Sequence, residues 1–218
     1  MQVEIKRLSK SDPEYPAALT RYLANGAPDS AAAMGNLQIL NRGKLAIFCS
    51  AVCPAGLTLQ ILDLLQKFAE GGVTAIGGFH SPVERECLGI LLGGTAPMIL
   101  SPARSLDRLR IRSEYREPFD KGRLLFLSFF KSHRHRSDVE MAVRRNRFVA
   151  ALADIILIPH AAPSSNTERL CQELISWQKS VYTIDHEANQ NLVRLGARAV
   201  ALDSVGELMS GLSSAEDT

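Results

Sequence analysis

The chain has 218 residues, 46 % hydrophobic and 22 % charged, a balance that excludes disordered, collagen-like and disulfide-stapled classes and fits one domain with a short extension. Its net charge of +2 points to no partner, but the total conceals a division. Between Arg104 and Arg147 thirteen Lys/Arg stand against six Asp/Glu, so this segment carries +7 and the remainder −5, which marks it as a region suited to phosphate.

The start, MQVEIKRLSK, has no apolar core of signal-peptide length, and no run approaches the ~18 apolar residues that span a bilayer. A cytoplasmic protein with no membrane partner is expected. In residues 1–44, Asp12-Pro13-Glu14-Tyr15-Pro16 reads as a turn or extended segment, and Leu19, Tyr22 and Leu23 as at least one helical turn. Ala27-Pro28 and Gly35-Asn36 then punctuate an extension packed on the core that follows. Over 45–212 short apolar runs alternate with helical segments. Leu45–Cys49, Val73–Ile76, Pro97–Leu100, Leu124–Leu127, Ile155–Ile158, Val181–Ile184 and Ala199–Leu202 have the length and unbroken apolarity of strands buried on both faces of a parallel sheet.

Between the strands, Leu57, Ile61, Leu62, Leu65 and Phe68 form one helical stripe, and Val139, Val143, Asn146 and Ala150 fall on a second. Gly71-Gly72 and Gly93-Gly94 stand where two helices end. Ser81-Pro82-Val83-Glu84 combines an N-cap serine, a proline at the first helical position and a glutamate that closes the capping box. Ser101-Pro102 repeats the first two elements; Ser137…Glu140 and Ser165…Glu168 repeat the box spacing. This strand–turn–helix grammar predicts an α/β fold, a doubly wound, mostly parallel and Rossmann-like sheet, with a frayed tail over 213–218. Ligands of such sheets bind beyond the carboxyl ends of the strands.

Several strand-end residues carry chemistry. Gly77 and Gly78 either let a phosphate or base approach the backbone or simply make a tight turn. No GxGxxG follows the first strand and no GxxxxGK[ST] occurs, which removes support for dinucleotide and P-loop chemistry. His80 and His160 lack a carboxylate-rich cluster and read as capping or packing histidines; no metal or cofactor is expected. Ser81 has no GxSxG elbow and is explained by its cap. Cys49, Cys53, Cys87 and Cys171 read as buried free thiols. His133-Arg134-His135-Arg136 reads as a solvated basic loop that touches phosphate. Arg144, Arg145 and Arg147 sit on a predicted helix, and planar guanidinium forks suit phosphate. Asn146, on the buried stripe, is expected to be a hydrogen-bonded anchor.

Arg145-Asn146-Arg147-Phe148-Val149-Ala150-Ala151-Leu152 resembles the RNR(I/V)(I/V)AGLS motif of the DNA-processing protein A family (DprA, also called Smf). Further similarities follow in the family's order. They are Tyr15-Pro16 with Leu19, Gly35-Asn36, Ala75-Ile76-Gly77-Gly78-Phe79, Ile158 to Thr167 with Ser164-Ser165-Asn166-Thr167, Lys179–Thr183, and Asn191-Leu192 with Leu195-Gly196-Ala197. The departures lie in Ile47-Phe48-Cys49-Ser50-Ala51, which lacks the glycine and arginine of the family's IVGSR, and after Phe79, where only His80 stands for the GID aspartate. The chain resembles the family's Rossmann-like domain alone.

The resemblance implies a non-catalytic protein that binds single-stranded DNA and mediates recombination during DNA uptake. Its implied partners are that DNA, the recombinase RecA and a second copy of the chain. Arg144, Arg145 and Arg147, with Lys131, Arg134 and Arg136, would line a groove along the phosphates. Gly77, Gly78, Ser81 and the Ser164-Ser165 turn would supply backbone and cap contacts, and Phe79 would stack on a base. Gly77–Glu84 also resembles in part the PGGxGTxxE loop of the LOG-type phosphoribohydrolases. The alternative it implies is a nucleotide sensor or nucleotide hydrolase using the same cleft.

Overall fold

Short, wholly apolar runs satisfy their backbone groups best inside a sheet, and each of the seven runs marked in the sequence contributes a strand. The computed structural model describes residues 4–131, 139–201 and 206. Its first elements are β1 (Lys6–Ser9), α1 (Ala17–Leu23), β2 (Ser30–Gly35), β3 (Lys44–Cys49), α2 (Ala55–Glu70), β4 (Thr74–Gly77), α3 (Pro82–Gly93) and β5 (Met98–Leu100). There follow α4 (Ser113–Asp120), β6 (Leu124–Ser128), α5 (Val139–Leu152), β7 (Ile155–His160), α6 (Asn166–Ser176), β8 (Ser180–Ile184), α7 (Gln190–Leu195) and β9 (Arg198–Val200). The strands form one nine-stranded sheet in the order β1-β2-β6-β5-β4-β3-β7-β8-β9. From β6 across to β9 every pair is parallel; β1 and β2 add to β6 as antiparallel strands. The architecture is the α/β, doubly wound, mostly parallel sheet.

Strand alternation divides the core into two layers. Leu45, Ile47, Ile155 and Leu157 pack with α2 and α3 residues such as Leu57, Ile61, Phe68 and Cys87. Ala46, Phe48, Ile156 and Ile158 pack with Leu19, Phe148, Val149, Cys171 and Leu192 on α1, α5, α6 and α7. The chain reverses its winding between β3 and β7, and there the loops are laced together. Ser50 N–H donates to the His160 carbonyl (3.1 Å), and Ala162 N–H donates to Ser50 Oγ (3.1 Å). The crevice where such sheets usually take a ligand is therefore bridged by protein.

Three elements differ from the sequence expectation. β1 and β2 enter the sheet itself: Ala31, Ala32, Ala33 and Met34 are all buried, a strand built from side chains too small to stand out in an apolar count. Ser101-Pro102 starts no helix; residues 102–112 form a loop that ends at α4. That loop is tied by its own polar groups, with Asp107 N–H donating to Ser105 Oγ (3.0 Å) and Arg108 at φ 61°. Finally, α5 buries Met141, Arg145, Phe148, Val149 and Leu152, whereas Val139 and Val143 are 68 % and 37 % exposed. The expected stripe through Asn146 is thus corrected: Asn146 is half-buried beside a buried arginine.

Among the described residues no helix is long and apolar enough to cross a membrane, and no cluster of His, Cys, Asp or Glu is placed to hold a metal ion. All four cysteines are free thiols, and burial pushes Cys87 up to about 12 and Cys171 up to about 11, so both stay protonated.

The end of α5 is capped from outside the helix. Lys179 Nζ donates to the Ala151 (3.1 Å) and Ala153 (2.6 Å) carbonyls, groups that a helix end leaves without partners. Burial lowers the ammonium from its ordinary 10.5 to about 8. Between pH 8 and 10.5 the unfolded chain then binds a proton that the native state has released, so stability rises with pH across that window. In urea melts, the native protein is expected to gain on Lys179→Met between these pH values. A stability difference independent of pH there contradicts the assignment.

Candidate nucleic-acid interface

The turn from β4 into α3 is fixed by two buried charges. Ser81 caps α3: its Oγ accepts the Glu84 N–H (3.3 Å), and the Glu84 carboxylate reaches back to accept the Ser81 N–H (3.3 Å). The same carboxylate accepts the His80 N–H (2.7 Å) and, on its other oxygen, the Cys49 N–H at the end of β3 (2.9 Å). Glu84 thus stitches together the loops after β3 and β4.

Arg145 is the second charge, 3 % exposed. Its Nη1 donates to the Ser101 carbonyl (3.1 Å) and its Nε to Asn146 Oδ1 (2.7 Å). The guanidinium lies across Gly78 so closely that a Cβ there would fall 1.1 Å from Nη1. Burial lowers the guanidinium's pKa, and the nearby Glu84 charge opposes the shift.

In front of this frame, at the carboxyl ends of β4, β5 and β6, a pocket of about 150 Å³ opens. Phe79, Leu88, Leu100, Leu109, Tyr115 and Phe126 form its walls. Ser101 lies at its base, 1 % exposed, with a hydroxyl that has no partner among the described residues. Arg104, Arg110 and Arg112 also line it. Arg104 and Arg110 are exposed and make no ion pair among the described residues. The Arg112–Glu114 pair (3.2 Å) is solvent-exposed and holds that arginine weakly. Beside the rim, Ser128 Oγ donates to the Arg104 carbonyl (2.7 Å), fixing the start of the Phe129-Phe130-Lys131 segment. Arg144 lies 5.5 Å from the Phe129 ring centre and 5.9 Å from that of Phe130.

The sequence candidates do not form one groove. Gly78 and Phe79 line the pocket, Gly77 lies just behind, and Ser81 is the α3 cap. Phe79 is corrected from an exposed stacking ring to a buried one: its backbone turns at φ 47° and its ring folds back to within 3.0 Å of where a Gly77 Cβ would be. His80 is exposed, whereas His160 is buried and its Nδ1 hydrogen-bonds Asn189 Oδ1 (2.9 Å). The three arginines diverge. Arg144 faces solvent over Phe129, Arg145 is spent inside the protein, and Arg147 pairs with Glu173 on α6 (2.7 Å). Arg145 is therefore corrected from a phosphate contact to an internal brace. Ser164 and Ser165 start α6, where Ser165 caps the helix and bonds Ser50 Oγ (3.3 Å). Lys131 is exposed; Arg134 and Arg136 lie outside the described residues. In the sequence the pocket arginines are visible only as part of the basic stretch, since Ser101-Pro102 has the pattern of a helix start rather than of the loop found at 102–112.

An open, doubly wound α/β sheet with its helices on both faces places the molecule among Rossmann-like domains. The family model for DNA recombination-mediator protein A matches residues 6–210, and the chain belongs to that family. DNA processing protein A of Streptococcus pneumoniae is similar in structure at 19 % identity and a TM-score of 0.77, covering 94 % of this chain and 74 % of that one. The Helicobacter pylori protein, whose structure concerns its single-stranded DNA binding mode, matches at 17 % identity and 0.74, covering 98 % and 97 %. The molybdenum cofactor carrier protein of Chlamydomonas reinhardtii is similar at 12 % identity and 0.54, covering 79 % and 99 %. No curated protein matches the sequence.

Proposed function

We propose that the chain binds single-stranded DNA at the strand-end pocket, as a binding protein and not as an enzyme. The carrying observation is the pocket's composition: apolar walls and an unpaired buried hydroxyl inside, arginines at the mouth. One unstacked base fits the interior while its phosphates meet Arg104, Arg110 and Arg112. The strand continues over Arg144, Phe129 and Lys131, where cation and ring alternate. Family membership and the DNA-binding relative from Helicobacter pylori support this reading. The family's description supports the finer role of recombination mediator, which we extend to a cytoplasmic protein with RecA and a second copy of the chain as partners.

The hydrolase alternative draws less support. It needs a carboxylate free to act on substrate, and Glu84 already accepts three backbone N–H groups. In fluorescence anisotropy with labelled oligo-dT, Arg104→Ala and Arg110→Ala are each expected to weaken binding about tenfold and to flatten the salt dependence by roughly 0.7 per lost phosphate contact. Affinity unchanged in both variants sinks the pocket as the DNA site.

A further inference from the structure

At the opposite, amino-terminal ends of β7 and β8 lies a second and larger concavity, an open groove of about 520 Å³. Arg21 and Tyr22 of α1 form one side, Gln178, Lys179 and Tyr182 the other. Its single acid, Asp154, is neutralised by Lys44, with Nζ at 3.2 Å and the Lys44 N–H donating at 2.8 Å. The groove therefore presents the positive charge of Arg21 and Lys179, and Arg198 lies over the Tyr182 ring at 5.8 Å.

Cations and rings are interleaved here as well. The Arg21 guanidinium is 5.3 Å and Lys179 Nζ 3.8 Å from the Tyr22 ring centre, and Tyr22 stacks on Trp177 at 5.8 Å. Docking α1 against the sheet accounts for the Tyr22–Trp177 stack, but not for the polar groups left over. Among the described residues, the side chains of Arg21, Tyr22, Gln178 and Ser180 have no hydrogen-bond partner, although all four line the groove. Gln178, at φ 59°, is the left-handed residue that closes α6: its N–H donates to the Ile175 carbonyl (2.9 Å) and the Lys179 N–H to that of Leu174 (3.1 Å), which sets Trp177 and Lys179 on either side of one turn.

We infer that this rear groove is a second binding site, for a nucleotide unit: an aromatic base against Tyr182 with its phosphate on Arg21, beside the charge that Lys179 holds on the α5 carbonyls. An acidic peptide would use the cations and leave the rings idle, whereas a nucleotide uses both. The groove is nucleotide-sized by the usual range of roughly 300–1,000 Å³. It lies at the other end of the strands from the pocket and stands whether or not that pocket takes DNA.

The chain's single tryptophan, Trp177, stacks on Tyr22 and reports on this groove. Its fluorescence is titrated with thymidine 5′-monophosphate and with oligo-dT of about 12 nucleotides. Saturable quenching is expected, weakened about tenfold in Arg21→Glu and largely restored in Arg21→Lys, while Arg110→Ala leaves quenching by the mononucleotide intact. Quenching by the oligomer alone makes a DNA strand the source of the nucleotide; quenching by the monophosphate makes it a free nucleotide. The site is overturned by no quenching with either probe, by an Arg21→Glu titration that matches the native one, or by equal quenching with polyglutamate. Failure of the groove alone gives no quenching while Arg110→Ala still loses oligomer anisotropy; failure of the pocket alone gives quenching by the monophosphate while Arg110→Ala keeps its oligomer anisotropy.

Discussion

Gly78→Ala is expected to destabilise the protein by about 3 kcal/mol, far more than one methyl group at a loop position usually costs. The backbone is not the reason, because φ at Gly78 lies outside the left-handed region. The added Cβ would occupy the place of the Arg145 guanidinium, 1.1 Å from Nη1 and 1.7 Å from Cζ. A flexible arginine tip in solvent would move aside at little cost. This one is 3 % exposed and holds the Ser101 carbonyl, so moving it leaves a buried charge and a buried acceptor without partners. Arg145→Ala alone is expected to cost a similar amount, and Gly78→Ala added to it much less, because the methyl then has room. Urea denaturation with an unchanged m-value measures the cycle, and a coupling of about 1–3 kcal/mol is the expected result. Strict additivity would show that the glycine and the arginine do not share that space.

The same arginine explains what the sequence made legible and what it did not. Strands β3 to β9 were readable because burial on both faces of a parallel sheet leaves unbroken apolar runs such as Leu124–Leu127. β2 was not, because Ser30–Gly35 fills its place with alanines, and alanine runs look alike in helix and strand. The face of α5 was misread for an electrostatic reason. Apolar periodicity puts Val139 and Val143 inward, but the helix is turned so that Arg145 reaches the Ser101 carbonyl and neighbours Glu84. A buried arginine counts as polar in any pattern and becomes internal only through partners far away in sequence. Likewise, Ser101-Pro102 has the letters of a helix start. In the structure its serine closes the base of a pocket, and the arginines that follow stay in a loop long enough to line it. Gly77 and Gly78 were recognisable as a place of close approach, yet the group that approaches Gly78 is the protein's own guanidinium.

Glu84→Gln is the substitution expected to separate the frame from the binding surface. The side chain keeps its length and shape, so any effect comes from replacing an anion by an amide. Glu84 uses both oxygens as acceptors, one toward Cys49 N–H and the other toward His80 and Ser81 N–H. An amide offers one oxygen and one NH₂, so in either orientation a donor faces a buried backbone donor. If NH₂ faces His80 and Ser81, the α3 capping box is lost; if it faces Cys49, the tie between the β3 and β4 loops is lost. Both orientations also remove the negative charge nearest the buried guanidinium of Arg145. The expected loss is about 2–4 kcal/mol, from an unsatisfied buried donor and a buried cation deprived of its counter-charge. In Glu84→Gln/Arg145→Met the charge imbalance disappears, so the loss is expected to be smaller than the sum of the losses in Glu84→Gln and Arg145→Met. Thermal and urea melts of Glu84→Gln, Arg145→Met and the double variant decide it. DNA affinity measured well below the melting temperature is expected to fall less than in Arg110→Ala, because Arg104, Arg110 and Arg112 sit on a loop that Glu84 does not hydrogen-bond. A Glu84→Gln protein as stable as the native one would remove Glu84 as the brace of the two loops.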